Sequence, residues 1–161
     1  MAQLDRFRQA QDAPRSGFAV ALGELEAGRK TSHWIWYVFP QLAGLGQSPT
    51  AVYYALAGAK EAADYLRDQV LGERLVQASA AVAAHLAGAN GRPVSLEELM
   101  GSEIDAVKLV SSMTLFAHIA GAPHAGDPPA RFAAARERTL PGPRPRRPAD
   151  STAWLLPARW S

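Results

Sequence analysis

Apolar side chains recur three and four positions apart along much of the chain, which is the spacing of one face of an α-helix. In the first 28 residues this pattern predicts two helices. The first covers about 3–12 and ends before Pro14, because proline cannot continue a helix. The second starts after Ser16, a good N-cap, and ends at Gly28, a residue suited to the position just beyond a helix.

The next segment, 29–41, reads RKTSHWIWYVFPQ and is dense in aromatic residues. Aromatic content alone would suit a β-strand, but the length of the segment and Pro40 also allow a short buried helix, which is our prediction. A loop then leads to Ser48 and Pro49, a typical N-cap followed by proline at the first helical position. The helix that they start is predicted to run to about residue 57.

Further helices are predicted where alanine and leucine dominate, and a capping pair, Ser95 and Glu98, predicts one more start. The segment 102–120 is apolar on nearly all sides, and such a helix is expected to be central and buried. The fold class predicted is therefore all-α: one domain over 1–161, with about seven to nine short helices around the helix 102–120. The remaining predicted helices cover 59–67, 71–86 and 130–138.

Proline and arginine dominate residues 139–149, which are predicted to form an irregular arm within the domain. The net charge of +2 conceals an uneven distribution, because the surplus of arginine lies after residue 128. The mildly acidic remainder is a poor surface for nucleic acid, so no nucleic-acid partner is predicted. The arm could contact an acidic partner or be a solvated linker, and the second interpretation is favoured because it lacks aromatic residues.

The chain contains no cysteine, which excludes disulfides and every kind of thiolate site. No run of 18 apolar residues and no secretory leader is recognisable, so we expect a cytoplasmic protein without a membrane partner. No P-loop, dinucleotide-binding glycine motif, zinc-protease motif or nucleophile elbow is present. The four histidines have no spacing typical of metal ligands, and neither a metal nor a cofactor is predicted.

Two segments combine residue types that could carry chemistry. The first, 29–41, supplies cations, a hydroxyl, an imidazole and rings, which would suit a pocket for an anion; alternatively its rings are simply core. The second, 105–114, places polar groups on one stripe of an apolar helix, where they either face a cleft or form an exposed ion pair. The candidate ligand-binding residues are Arg29, Lys30, Ser32, Trp34, Trp36, Gln41, Ser111 and Ser112, and the candidate catalytic residues are His33, Asp105 and Lys108.

The same two segments carry a family resemblance. The runs GRK-x-SHW-x-W-x-x-FPQ at 28–41 and D-x-x-KL-x-SSMTLF at 105–116 resemble the signature of a bacterial domain of unknown function, number 1810, some of whose members are named calpastatin. The resemblance covers about residues 4–120 and implies one all-helical domain with a curved, solenoid-like arrangement. It implies no established activity. The arm departs from the family pattern and resembles an insertion.

Three hypotheses follow from these residues. The first is a small-molecule site between the two segments, for an anionic ligand such as a nucleotide or an ADP-ribose-like compound. The second is a helical protein–protein interaction module without catalysis. The third is that both segments are core and their polar groups satisfy each other. Whether the protein is an enzyme stays open at this point.

Overall fold

Eight α-helices make up the computed structural model over the residues it describes, 3–89 and 91–121. No strand occurs in these ranges, and one isolated parallel bridge joins Leu42 to Leu56. The predicted all-helical class is therefore confirmed. The helices are α1 (Asp5–Gln11), α2 (Phe18–Glu26), α3 (Ile35–Val38), α4 (Pro49–Tyr53), α5 (Ala59–Arg67), α6 (Gln69–Leu86), α7 (Leu96–Met100) and α8 (Glu103–Gly121).

The start of α2 corrects one prediction, because its N-cap is Gly17 rather than Ser16. Gly17 lies against the end of α1, where its amide donates to the carbonyl of Ala13 at 2.8 Å. A Cβ at this position would lie 2.3 Å from that carbonyl oxygen. The two chain segments approach so closely here that residue 17 must be glycine. Helix α2 therefore starts one residue later than predicted, with Gly17 instead of Ser16 as its N-cap.

The end of α2 follows the prediction. Gly28 has a left-handed φ of 83°, and its amide donates to the carbonyl of Leu25 at 3.0 Å. The amide of Arg29 reaches back to the carbonyl of Glu24 at 3.0 Å. These two bonds form a Schellman motif, which reverses the chain and directs the next residues back along α2.

The short buried helix predicted in 29–41 is present, but it covers only Ile35–Val38, and the rest of the segment is not helical. The backbone amides of Thr31 and Ser32 donate to the carboxylate of Glu24 instead of forming a helical turn. At the other end, Pro40 lacks the amide that a continued helix would need. The predicted helix from Pro49 also ends early, at Tyr53.

The start of α6 is earlier than predicted, because the carboxylate of Asp68 accepts from the amides of Val70 and Leu71 at 3.1 and 3.0 Å. The predicted caps at Ser48 and Ser95 are confirmed, since each hydroxyl accepts a bond from the first turn of its helix. A short polar side chain with a free amide three positions later is sufficient to fix these starts.

The core is one cluster to which side chains from every helix except α4 contribute. Helix α8 packs mainly on α5 and α7, and α2 packs on α6. The expectation that α8 is central and buried holds for one face only, the face covered mainly by α5 and α7. The fully or almost fully buried residues of that face are Leu109, Met113 and Phe116, whereas Ile104, Val107 and Val110 are 68%, 61% and 46% exposed.

Helix α8 is also long and apolar enough to cross a membrane, judged by length and composition alone. Its packing against α5 and α7 is that of a helix within a helical core. The predicted arm 139–149 and the predicted helix 130–138 lie outside the described residues.

Candidate functional site

The two candidate segments lie against each other, and one carboxylate joins them. The ammonium of Lys30 lies 2.6 Å from Oδ2 of Asp105. The ammonium of Lys108, one turn further along α8, lies 2.9 Å from Oδ1 of the same residue. Asp105 is thus held between two lysines, one from each segment.

The electrostatics of this cluster favour the ionised carboxylate. Partial burial by itself would raise the pKa of Asp105, but hydrogen bonds and attraction from Lys30 and Lys108 outweigh it, and the pKa is lowered. Two ammonium groups therefore share one negative charge, which leaves a surplus of one positive charge. Lys30 is buried, so Lys108, whose side chain is 22% exposed, presents this surplus to solvent.

Aromatic rings lie beside both lysines. The Lys30 ammonium is 5.3 Å from the centre of the Trp34 ring, and the Lys108 ammonium is 4.8 Å from that of Trp36. The exposed ring of His33 stacks against Trp36, with 6.4 Å between the ring centres. Each lysine position is therefore fixed by a carboxylate and a ring together, which limits the freedom of the ammonium groups.

Glu24 is the functional residue that sequence reasoning missed. Its carboxylate accepts bonds from the Thr31 and Ser32 amides at 2.8 and 3.0 Å, from both of their hydroxyls, and from Nε1 of Trp34 at 2.8 Å. Partial burial opposes ionisation, but these donors lower the pKa of Glu24 to about 2. The sequence feature that could have indicated this role of Glu24 is Gly28, because the chain reversal there brings residues 31–34 back against α2.

The Glu24 carboxylate therefore determines where the predicted ligand-binding residues Ser32 and Trp34 lie. Their polar hydrogens are directed at Glu24, and the Trp34 ring is completely buried. Ser112 is buried too, and its hydroxyl donates to the carbonyl of Pro40 at 2.8 Å, which ties α8 to the first segment. Ser111, which precedes it in the sequence and was also predicted to bind the ligand, is half-buried on α8.

Arg29 is not brought to the same place. It is exposed and lines a different depression, beside Glu97 and Glu98 at the start of α7. The candidate site therefore involves the first segment from Lys30 onward, together with the first two turns of α8.

An open groove lies beside Lys108, and we call it the Lys108 groove. Gln41 and Lys108 are its polar walls next to the first segment, and Leu45, Ile104 and Val107 are its apolar walls. A narrower crevice that reaches Trp36 shares Gln41 and Lys108 with it. The remaining groove residues are Gly46, Ala51 and Glu103.

The loop that carries Leu45 is held in place by the bridge beneath it. The amide of Leu56 donates to the carbonyl of Gln41 at 2.8 Å, and the amide of Ala43 donates to the carbonyl of Leu56 at 2.9 Å. These two bonds fix the chain on the N-terminal side of Leu45, at Gln41 and Ala43.

The Lys108 groove is lined by one cationic side chain, Lys108, and one carboxylate, Glu103. Within 3–89 and 91–121 no three histidine or carboxylate side chains come close enough to hold a metal ion. A general acid works best with a pKa near the working pH, whereas that of Asp105 is lowered. The groove thus offers a positioned cation, an amide and an apolar wall.

These features define an all-helical domain with a lysine at the edge of a preformed groove. The model of a family described as a protein of unknown function, DUF1810, matches residues 1–138, and the chain belongs to this family. The resemblance of the two segments to that family is thereby confirmed.

Among solved structures, the chain is similar to the crystal structure of the conserved hypothetical protein Rv1873 from Mycobacterium tuberculosis. The identity is 40%, the TM-score is 0.67, and the match covers 84% of this chain and 86% of the other. None of the curated proteins matches the chain. The comparisons therefore show the family and the fold, and no activity accompanies them.

Proposed function

We propose that this domain binds a small organic anion, of nucleotide or ADP-ribose type, in the Lys108 groove. The observation that carries the proposal is the position of the Lys108 ammonium, which lies at the groove and is held there by Asp105 and Trp36. Because Lys30 also pairs with Asp105, that carboxylate cannot neutralise both lysines.

The anionic group of the ligand is expected to contact Lys108 and the side-chain amide of Gln41. Glu103 also lines the groove, and its carboxylate would repel an anion close to it. The negative group of the ligand is therefore expected beside Lys108 and Gln41 rather than beside Glu103.

The apolar part of the ligand is expected to lie against Leu45 and Val107, which are 60% and 61% exposed. A nucleoside base or another flat ring would cover both side chains and remove apolar surface from water. An inorganic anion would gain none of this, so a phosphate alone should bind more weakly than a nucleotide.

The proposal concerns binding, and the catalytic roles of His33, Asp105 and Lys108 stay predictions. In this proposal Lys108 acts as the positive charge that binds the anion. The anion-binding role of Ser111 also stays a prediction.

A lysine-labelling experiment tests the proposal, because the chain has only three lysines, Lys30, Lys60 and Lys108. The full-length protein is acetylated with an N-hydroxysuccinimide ester, with and without ADP-ribose or AMP, and each site is quantified by mass spectrometry. Lys60 has a 90% exposed side chain on α5 and is the internal control. We expect nucleotide to slow the labelling of Lys108 severalfold and to leave Lys60 unchanged.

Thermal unfolding gives a second readout with a matched pair of variants. A ligand at 100 times its Kd should stabilise the wild type by about 2.7 kcal/mol, a rise of several degrees for a domain of this size. Lys108→Met should abolish the rise and Lys60→Met should keep it. If ADP-ribose, AMP and inorganic phosphate neither raise the Tm nor protect Lys108, the proposed function is refuted.

The protein-interaction hypothesis stays a second prediction. The surface available for such a partner is the row of exposed apolar residues on α8.

A further inference from the structure

Helix α8 exposes three apolar side chains one turn apart: Ile104, Val107 and Val110. We call this row the α8 stripe. Single exposed apolar residues are ordinary on protein surfaces, but residues three positions apart lie side by side on a helix and form a continuous apolar row. Such a row gains free energy when another apolar surface covers it.

We infer that residues 150–161 of this same chain bind along the α8 stripe. This segment, DSTAWLLPARWS, lies outside the described residues and beyond the part that the family model matches. Four of its twelve side chains are large and apolar. Contact between the segment and the stripe would therefore remove apolar surface of both from water. Those four residues are Trp154, Leu155, Leu156 and Trp160.

The length of the chain allows this contact. The described part ends at Gly121, which is also the end of α8. Val107 lies about four helical turns before that point, a distance of roughly 20 Å. The connecting residues 122–149 would extend over several times that distance, so they can bring the segment back along the helix.

The charges on the two sides are complementary. Three arginines, Arg144, Arg146 and Arg147, precede the apolar segment. Exposed carboxylates precede the stripe: Glu103 in the first turn of α8, and Glu97 and Glu98 on α7. If the segment runs parallel to α8, the arginines that precede it lie near this acidic end, which favours association with the same chain.

Ile104 and Val107 belong to both the α8 stripe and the Lys108 groove. The contact with residues 150–161 does not depend on a bound anion, and its test is carried out without one. Both occupants would cover Val107, so a bound ligand and residues 150–161 exclude each other at that side chain. Because the test contains no ligand, failure of this contact is distinguishable from failure of the proposed function.

The lack of cysteine makes the test direct, because a pair of introduced cysteines can form only one intramolecular disulfide. The full chain carrying Val107→Cys and Leu155→Cys is oxidised with copper phenanthroline at low protein concentration. The control carries Leu155→Cys with Val70→Cys, since Val70 is an exposed valine on α6 outside the stripe. We expect the intramolecular bond to form at least tenfold faster in the first protein, as read from non-reducing gels and peptide mapping.

Two results would overturn the inference. Equal rates in the two proteins would show that residues 150–161 have no preference for the stripe. Rapid disulfide-linked dimers of Val107→Cys alone would instead assign the stripe to a second copy of the chain. Val107 is exposed, so its substitution should not unfold the domain, and Leu156→Cys in place of Leu155→Cys provides an independent pair.

Discussion

Replacing Glu24 by glutamine tests the central claim about the candidate site, which is that one carboxylate holds the loop at Thr31–Trp34. Five donors from Thr31, Ser32 and Trp34 converge on it. Glutamine has nearly the same shape, but it presents an NH₂ group where the carboxylate presented an acceptor, so some of the donors lose their partner.

The expected cost can be bounded in two ways. Hydrogen bonds to a charged group contribute about 1.5–3 kcal/mol each when counted singly. A pKa held at about 2 instead of 4.5 corresponds to at most roughly 3 kcal/mol, which solvent reduces because the carboxylate is partly exposed. We therefore expect Glu24→Gln to lower the free energy of unfolding by about 2 kcal/mol at pH 7, which is roughly 4–8 °C in Tm.

The pH dependence separates this mechanism from a general packing defect. The pKa of Glu24 is lowered on folding, so its contribution is complete above pH 4.5 and is lost as the pH falls toward 2. Urea unfolding at pH 7 and at pH 3 should therefore show a difference between wild type and variant that shrinks in acid. Other carboxylates titrate in both proteins, so their effects cancel.

The control is Glu26→Gln, at an exposed position two residues further along α2. It should change the free energy of unfolding by less than about 0.5 kcal/mol. A Glu24→Gln protein as stable as this control, or a loss that is equally large at pH 7 and pH 3, would refute the role assigned to the carboxylate.

Three further predictions concern the packing around the site. Gly17→Ala should cost more than about 2 kcal/mol in denaturant unfolding, because its Cβ would lie 2.3 and 2.4 Å from backbone oxygens. The control is Gly23→Ala in the middle of α2, where a Cβ would meet open space. This control should stabilise the protein by about 0.5–1 kcal/mol. Asp105→Asn should destabilise by about 2 kcal/mol at pH 7, since the buried Lys30 loses its charged partner, and its difference from wild type should shrink below about pH 3.8. Ser112→Ala should cost about 1–2 kcal/mol in thermal unfolding, because a buried carbonyl loses its donor; no change would mean that this bond does not tie α8 to the first segment.

Local rules located the features that depend on neighbouring residues alone. Ser48 and Ser95 are caps because a hydroxyl and the amide three positions later are always close at a helix start. Gly28 ends α2 because a left-handed φ is least costly for glycine. The all-helical class and α5 at Ala59–Arg67 followed from the same short-range spacing.

Tertiary contacts decided the rest. Segment 29–41 is mostly irregular because Glu24, on another element, competes for its amides, and no local propensity contains that competition. Helix α8 carries apolar residues on nearly all of its sides, but mainly the face toward α5 and α7 is buried. Burial depends on where the neighbouring helices lie.

The candidate site divides in the same way. Its residue types are visible along the chain, and the spacing of Asp105 and Lys108 predicts their ion pair. The third member, Lys30, follows the reversal at Gly28, and its amide donates to the carbonyl of Leu99 on α7 at 2.8 Å, which brings its ammonium beside Asp105. The sequence by itself thus determined the helices and the chemistry available, while the meeting of two cations at one carboxylate beside a groove depended on long-range packing.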